Sequence, residues 1–162
     1  DKYEAYQYYI DAVKRDGVPY DLITKALPTI EGEVNNILSQ LVDFQMLFEM
    51  DGKNINNYIV YDDDNVWPLE LSSGMERFIS SLAIRVALIN VSNLPRSNFL
   101  AIDEGWGTMD SDNLNSVYSL FQYLKSQFQF TLIVSHIDSM RDAVDTLLEI
   151  KKEKDYSNIN FY

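Results

Sequence analysis

Cysteine is absent from the 162 residues. That excludes disulfides and Cys-ligated zinc, and it fits a reducing compartment. Histidine occurs once, at His136. Basic residues are scarce: 13 Lys and Arg stand against 25 Asp and Glu, a net charge of −12. Such a chain has no broad, nonspecific attraction to DNA, so any DNA role needs local basic patches or a second chain. Lys151, Lys152 and Lys154 form the only basic cluster, and a solvated surface face accounts for it. No apolar run reaches the roughly 18 residues of a membrane span, and no signal peptide is visible, so no membrane partner is expected and an intracellular setting, cytoplasmic or nuclear, is. The pattern G-x-x-x-x-G-K-S/T occurs nowhere. The chain therefore lacks the loop whose backbone N–H groups and lysine cradle nucleotide phosphates. Repeats and low-complexity tracts are also missing.

What is present describes a folded domain. Hydrophobic residues make up 46% of the chain, well above a disordered composition. A domain of this size buries about 68–70% of the surface its unfolded chain exposes. The first residue is Asp1, inside a helical pattern, as expected of a fragment or a designed piece.

Residues 1–15 read as a helix, with Tyr6, Tyr9, Ile10 and Val13 at helical spacing. Asp16-Gly17-Val18-Pro19 breaks it. A short helix is expected over 20–27. Pro28 then suits the first turn of another, with Ile30, Val34, Ile37, Leu38 and Leu41 on one face. From Phe44 to Tyr61 the pattern becomes strands about an Asp51-Gly52 turn, and residues 62–65 read as an acidic loop. A long amphipathic helix is expected over 75–93. Two short apolar runs, Phe99–Ile102 and Phe130–Val134, flank a helix at 112–127. A further helix precedes strands at Thr146–Ile150 and Asn158–Phe161. Apolar runs alternating with helices predict an α/β fold with a buried, largely parallel sheet.

Four features carry chemistry. The run Phe99-Leu100-Ala101-Ile102 ends in Asp103-Glu104, which puts two carboxylates at the C-terminal sheet edge where α/β proteins bind ligands. One such acid can hold Mg²⁺ and the other can orient a water. Gly105-Trp106-Gly107-Thr108-Met109-Asp110 allows a tight loop. The second apolar run ends in Ser135-His136, and a neutral imidazole can donate to a phosphate oxygen. Ser73-Gly74-Met75-Glu76 opens the long helix with capping-box spacing, and a helix N-terminus is also an anion site. Taken singly, these are also a polar loop, an ordinary turn, a capping histidine and a plain helix start.

Their order is more specific. It resembles the C-terminal half of an ABC-type ATPase head, and within that group the SbcC family of double-strand-break repair ATPases, relatives of the chromosome-maintenance (SMC) proteins. Asp103-Glu104-Gly105-Trp106-Gly107-Thr108-Met109-Asp110 is similar to that family's DEGFGTLD, with Trp for Phe and Met for Leu. The stretch from Gly17 through Pro28 to Glu33, Asn35 and Leu38 resembles the re-entry of its coiled coil into the head.

The resemblance implies residues 1–16 as a returning coiled-coil base helix and 17–162 as the C-terminal lobe. It implies Asp103 as the Mg²⁺ ligand, Glu104 as the general base, His136 as a γ-phosphate contact and Asp110 in a loop that communicates across a head dimer. The signature can be read as Leu71-Ser72-Ser73-Gly74-Met75 or one residue later. The later register is preferred, because it puts Arg77 and Arg85 where the family couples its signature helix to nucleotide. Ser73, Gly74, Met75 and Glu76 would then contact ATP held by an opposite head, with Met75 replacing a glycine. The implied ligands are ATP and Mg²⁺. The implied partners are the N-terminal lobe, a second head, an SbcD-type nuclease and DNA. The rival expectations are a transporter or chromosome-organising ATPase, a tether without turnover, and an acidic interaction domain.

Overall fold

The computed structural model describes residues 1–14, 16–52, 54–103 and 114–162. The chain divides into two compact units, Asp1–Arg96 and Ser97–Tyr162. Among the described residues no helix is long and apolar enough to cross a membrane.

The first unit opens with α1 (Lys2–Val13), which buries no residue. Gly17 follows, and a Cβ there would collide with the carbonyl oxygens of Ala12 and Asp11, so this close backbone approach requires glycine. α2 (Val18–Leu38) has a proline in its first turn and runs through Pro28 without a break. Two helices parted at Pro28 were expected, since an interior proline removes a hydrogen bond and costs about 3 kcal/mol. The helix continues because Leu27, ahead of the proline, and Val34, Ile37 and Leu38, after it, all enter the core.

β1 (Gln45–Asp51), β2 (Asn54–Asp62) and β3 (Asn65–Pro68) form an antiparallel sheet in that order. The hairpin turn includes Gly52 at φ +58°, in the left-handed region that glycine adopts without strain. β3 has no counterpart in the sequence pattern, because four residues are too few to show periodicity. The β2–β3 register shifts between Val60 and Asp62, leaving Tyr61 as a bulge. α2 supplies hydrogen-bond partners to part of the open edge of β1. Glu31 Oε2 accepts from the Phe48 N–H at 2.8 Å, and Asn35 bonds Met46.

α3 (Gly74–Val91) packs against α2. Its Met75, Ile79, Leu82, Ala83 and Val86 are buried. Each large aliphatic among them contributes about 1.5–3 kcal/mol by leaving water. Asn90 Nδ2 donates to Glu33 Oε1 at 2.7 Å, tying the two helices.

In the second unit β4 (Phe99–Asp103) and β5 (Phe130–Val134) pair in parallel, Phe99 opposite Phe130 through Asp103 opposite Val134. α4 (Leu114–Gln127) lies in the crossover and packs on β5. Ile102, Leu120, Phe121, Leu124 and Phe128 are buried in this unit. A 3-10 turn at Asp138–Ala143 leads to the antiparallel pair β6 (Leu148–Glu153) and β7 (Tyr156–Phe161). The chain is thus α/β with a parallel pair and flanking helices. Among the described strands, parallel pairing is confined to β4 and β5. The others are joined by links of a few residues, too short for the crossover that parallel strands need.

Candidate functional site

Two groups of candidate residues occur, one in each unit. The first sits at the N-terminus of α3. Ser73 is the N-cap, and its Oγ accepts from the Glu76 N–H at 3.2 Å. Glu76 Oε2 in turn accepts from the Ser73 N–H at 2.6 Å, closing a reciprocal capping box. A helix leaves its first N–H groups without intrahelical partners. The box takes up those of Ser73 and Glu76, and among the described residues those of Gly74 and Met75 have no partner. Ser73 Oγ meets the Glu76 N–H with a lone pair, and its hydroxyl also hydrogen-bonds the Glu76 carboxylate. The helix dipole adds positive potential at the same place.

Ser72 behaves differently from its neighbour. It is buried, and its hydroxyl donates back to the Leu69 carbonyl at 2.7 Å. Ser73, not Ser72, is therefore the exposed hydroxyl at the helix start. Met75 is buried, its side chain serving the core while its N–H lies at the helix end. Arg77 Nη1 donates to the Glu70 carbonyl at 3.2 Å, tying the 3-10 turn at Leu69–Leu71 to α3. Arg85 is exposed farther along the helix.

One residue here was not foreseen. The Tyr61 hydroxyl donates to Glu76 Oε1 at 2.7 Å. Burial, and then this acceptor, raise the Tyr61 phenol to about 12. Burial opposes ionisation of Glu76, but the hydrogen bonds from Ser73 and Tyr61 outweigh it and hold the carboxyl below its usual value. Tyr61 precedes Glu76 by 15 residues on another element, so no local spacing announces it. Its ring neighbours Phe44 and Trp67 are likewise distant in sequence.

The second group lies at the C-terminal edge of the parallel pair. Asp103 is the last residue of β4 and lies in register with Val134, the last of β5. Ser135 and His136 follow at once, so Asp103 and His136 leave the same edge of the sheet, both exposed. Ser135 Oγ accepts from the Ile137 N–H at 3.1 Å and contacts Met140 Sδ at 3.3 Å, bending the chain after β5. Glu104 and Asp110 lie outside the described residues. Asp103 offers one carboxylate to a cation, which suits Mg²⁺, an ion commonly held by one or two carboxylates together with phosphate oxygens.

The β4–β5 pair also presents a bare apolar face. Phe130, Leu132 and Val134 are 58%, 45% and 47% exposed, and Phe99 stacks on Phe130 with ring centroids 5.4 Å apart.

No family model matches the chain. It is 36% identical over 170 residues to the uncharacterized protein R555 of Acanthamoeba polyphaga mimivirus, an alignment that spans 95% of this chain and 13% of that protein. It is 33% identical over 82 residues to the SbcC component of the nuclease SbcCD from Rhodobacter capsulatus, spanning 50% of this chain and 7% of the relative. The SbcC component from Staphylococcus aureus is 30% identical over 93 residues, spanning 55% and 9%. The chain thus covers a small part of the curated relatives it matches. Among solved structures, one from a study of ATP-driven dimerization and DNA-stimulated activation of SMC ATPases superimposes with a TM-score of 0.71 at 15% identity, covering 88% of each chain. The SMC head domain of Thermotoga maritima superimposes at 0.59 and 24% identity, covering 86% of this chain and 49% of the other. The fold is thus like that of SMC ATPase heads, and about half of the sequence is similar to the SbcC component of SbcCD nucleases.

Proposed function

We propose that the chain is the C-terminal lobe of an ATP-hydrolysing head from a DNA-repair or chromosome-organising ATPase, completed by an N-terminal lobe that brings the phosphate loop. The observation that carries this reading is the shared edge of Asp103 and His136. The parallel register puts an acid and the chain's one imidazole at the end of the sheet where α/β folds bind nucleotides.

In this reading Asp103 would hold Mg²⁺, which would supply charge neutralisation at the phosphates. Glu104 orients the attacking water and accepts its proton as the water oxygen bonds to the γ-phosphorus and the bond to ADP breaks. His136 donates to the γ-phosphate. Ser73, with the free N–H groups of Gly74 and Met75, binds the γ-phosphate of ATP on a second head. Asp110 belongs to the loop between heads, and Arg77 and Arg85 relay the engaged state along α3. ATP drives closure because the closed pair binds it better than the open one. α1 is the base of a returning coiled coil, and head closure regulates an SbcD-type nuclease on DNA ends. The bare face of β4–β5 supports the need for a second lobe, since exposed apolar patches mark contact surfaces.

ATP turnover by this chain alone, and then together with its N-terminal lobe, tests the proposal. No turnover alone, turnover on mixing, and a loss of about 100-fold or more in Glu104→Gln are expected. Normal turnover in Glu104→Gln would overturn the assignment of the base. Associated lobes without turnover would point to a tether that does not hydrolyse ATP.

A further inference from the structure

We infer that Tyr61 is a positioning residue: through Glu76 it sets how Ser73 and the free N–H groups of Gly74 and Met75 meet a phosphate. The inference rests on the proposed role of Ser73 toward ATP on a second head.

Three observations place Tyr61 in this role. The first is its backbone. Tyr61 sits at the bulge of β2, where the register against β3 shifts between Val60 and Asp62, and bulges re-aim side chains out of the strand alternation. The bulge is pinned beyond Tyr61, where Asp62 Oδ1 accepts from the Asp64 N–H at 3.0 Å and from Asn65 Nδ2 at 2.7 Å. The second is its ring. Its centroid lies 5.6 Å from that of Phe44 and 5.5 Å from that of Trp67. Aromatic neighbours at such separations hold a ring in offset or tilted packing. The third is its hydroxyl, which lies 2.7 Å from Glu76 Oε1 while Glu76 Oε2 lies 2.6 Å from the Ser73 nitrogen.

Each carboxylate oxygen of Glu76 therefore has its own donor, one from the sheet and one from the helix cap. With both engaged, the carboxylate has one rotamer. Its negative charge is directed at Ser73 and Tyr61 and is kept from the neighbouring anion site. Without the phenol, Oε1 loses its donor, the carboxylate is free to turn, and its charge repels an incoming phosphate. Charge-assisted hydrogen bonds of this kind are the stronger ones. Tyr61 touches no nucleotide in this scheme. It acts through Glu76 alone.

The experiment measures nucleotide-driven engagement of the two heads in the full-length protein, with a fluorescence pair on the heads and a non-hydrolysable ATP analogue as ligand. Tyr61→Phe keeps the ring between Phe44 and Trp67 and removes only the hydroxyl. It should weaken engagement about tenfold or more, as the loss of one hydrogen bond to a charged group predicts, with analogue binding to separated heads unchanged. Glu76→Ala should weaken engagement as well, and Tyr61→Phe added to Glu76→Ala should weaken it no further. Additive losses would overturn the inference, because Tyr61 would then be acting apart from Glu76. Unaltered engagement in Tyr61→Phe, beside lost engagement in Ser73→Ala, would overturn it while leaving the role of Ser73 standing. Unaltered engagement in Ser73→Ala would overturn both.

Discussion

Asn35 bonds both backbone groups of Met46: its Nδ2 donates to the Met46 carbonyl at 2.9 Å, and its Oδ1 accepts from the Met46 N–H at 2.7 Å. A side-chain amide on α2 thus takes the place of a neighbouring strand on the open edge of β1. Replacing Asn35 with Leu leaves a donor and an acceptor unmet next to a buried residue. A loss of about 2–6 kcal/mol is expected, from about 1–3 for each unsatisfied group, read as a lower denaturation midpoint in urea with an unchanged slope. An unchanged midpoint would show that water satisfies that edge.

The α3 cap gives stability a pH dependence. Glu76 has a lowered pKa in the folded chain, so its contribution is full above the ordinary carboxyl value of 4.5 and is lost as pH falls through the lowered one. Tyr61 has the opposite sign. Its folded pKa is raised from 10.0 to about 12, so its contribution is full below 10.0 and fades between there and about 12. Glu76→Gln should flatten the acid limb of the stability curve. Tyr61→Phe should remove a step near 12 from a tyrosinate absorbance titration. If that step persists in Tyr61→Phe, it belongs to another of the 11 tyrosines.

Ser80 is fully buried in α3, and its hydroxyl has no hydrogen-bond partner among the described residues. Burying an unpaired hydroxyl is unfavourable by about 1–3 kcal/mol. Ser80→Ala removes the hydroxyl, leaves a small void and suits a helix better. The variant should be as stable as the parent or about 1 kcal/mol more stable, measured by thermal unfolding. Clear destabilisation would show that the hydroxyl is in fact bonded.

The exposed Phe130, Leu132 and Val134 on β5 predict self-association of the isolated chain, since flat apolar strands with open edges seed pairing. Leu132→Lys should reduce light scattering by the isolated chain. Adding the N-terminal lobe should do the same to the parent chain if that lobe covers this face. Scattering that neither change alters would place the sticky surface elsewhere, for example on the exposed tyrosines of α1.

Much of the fold is legible in the residue order. β5 occupies the apolar run from Phe130 to Val134, and β4 extends the run at Phe99 by the single residue Asp103. The amphipathic pattern at 75–93 becomes α3 at Gly74–Val91. α3 is long and buries one side, so burial and local pattern agree there, whereas β5 is a short apolar run whose Phe130, Leu132 and Val134 stay exposed. Where local and tertiary preferences conflict, the tertiary one prevails. Pro28 reads as a boundary, yet α2 passes through it because Leu27 and Val34 share a core.

The candidate site divides along the same line. The chemical types came from sequence alone: Asp103 ends an apolar run, His136 follows another, and Ser73 and Glu76 have capping-box spacing. These are short-range patterns, and short-range physics fixes them. Only the tertiary structure decided that Asp103 and His136 leave one sheet edge, because parallel register is a pairing across 31 residues between Asp103 and Val134. It likewise decided that Ser72 is buried while Ser73 faces out, and that Tyr61 reaches Glu76. Those relations depend on a bulge, a crossover and a packed aromatic group. Each is a contact between distant segments that a local sequence pattern does not encode.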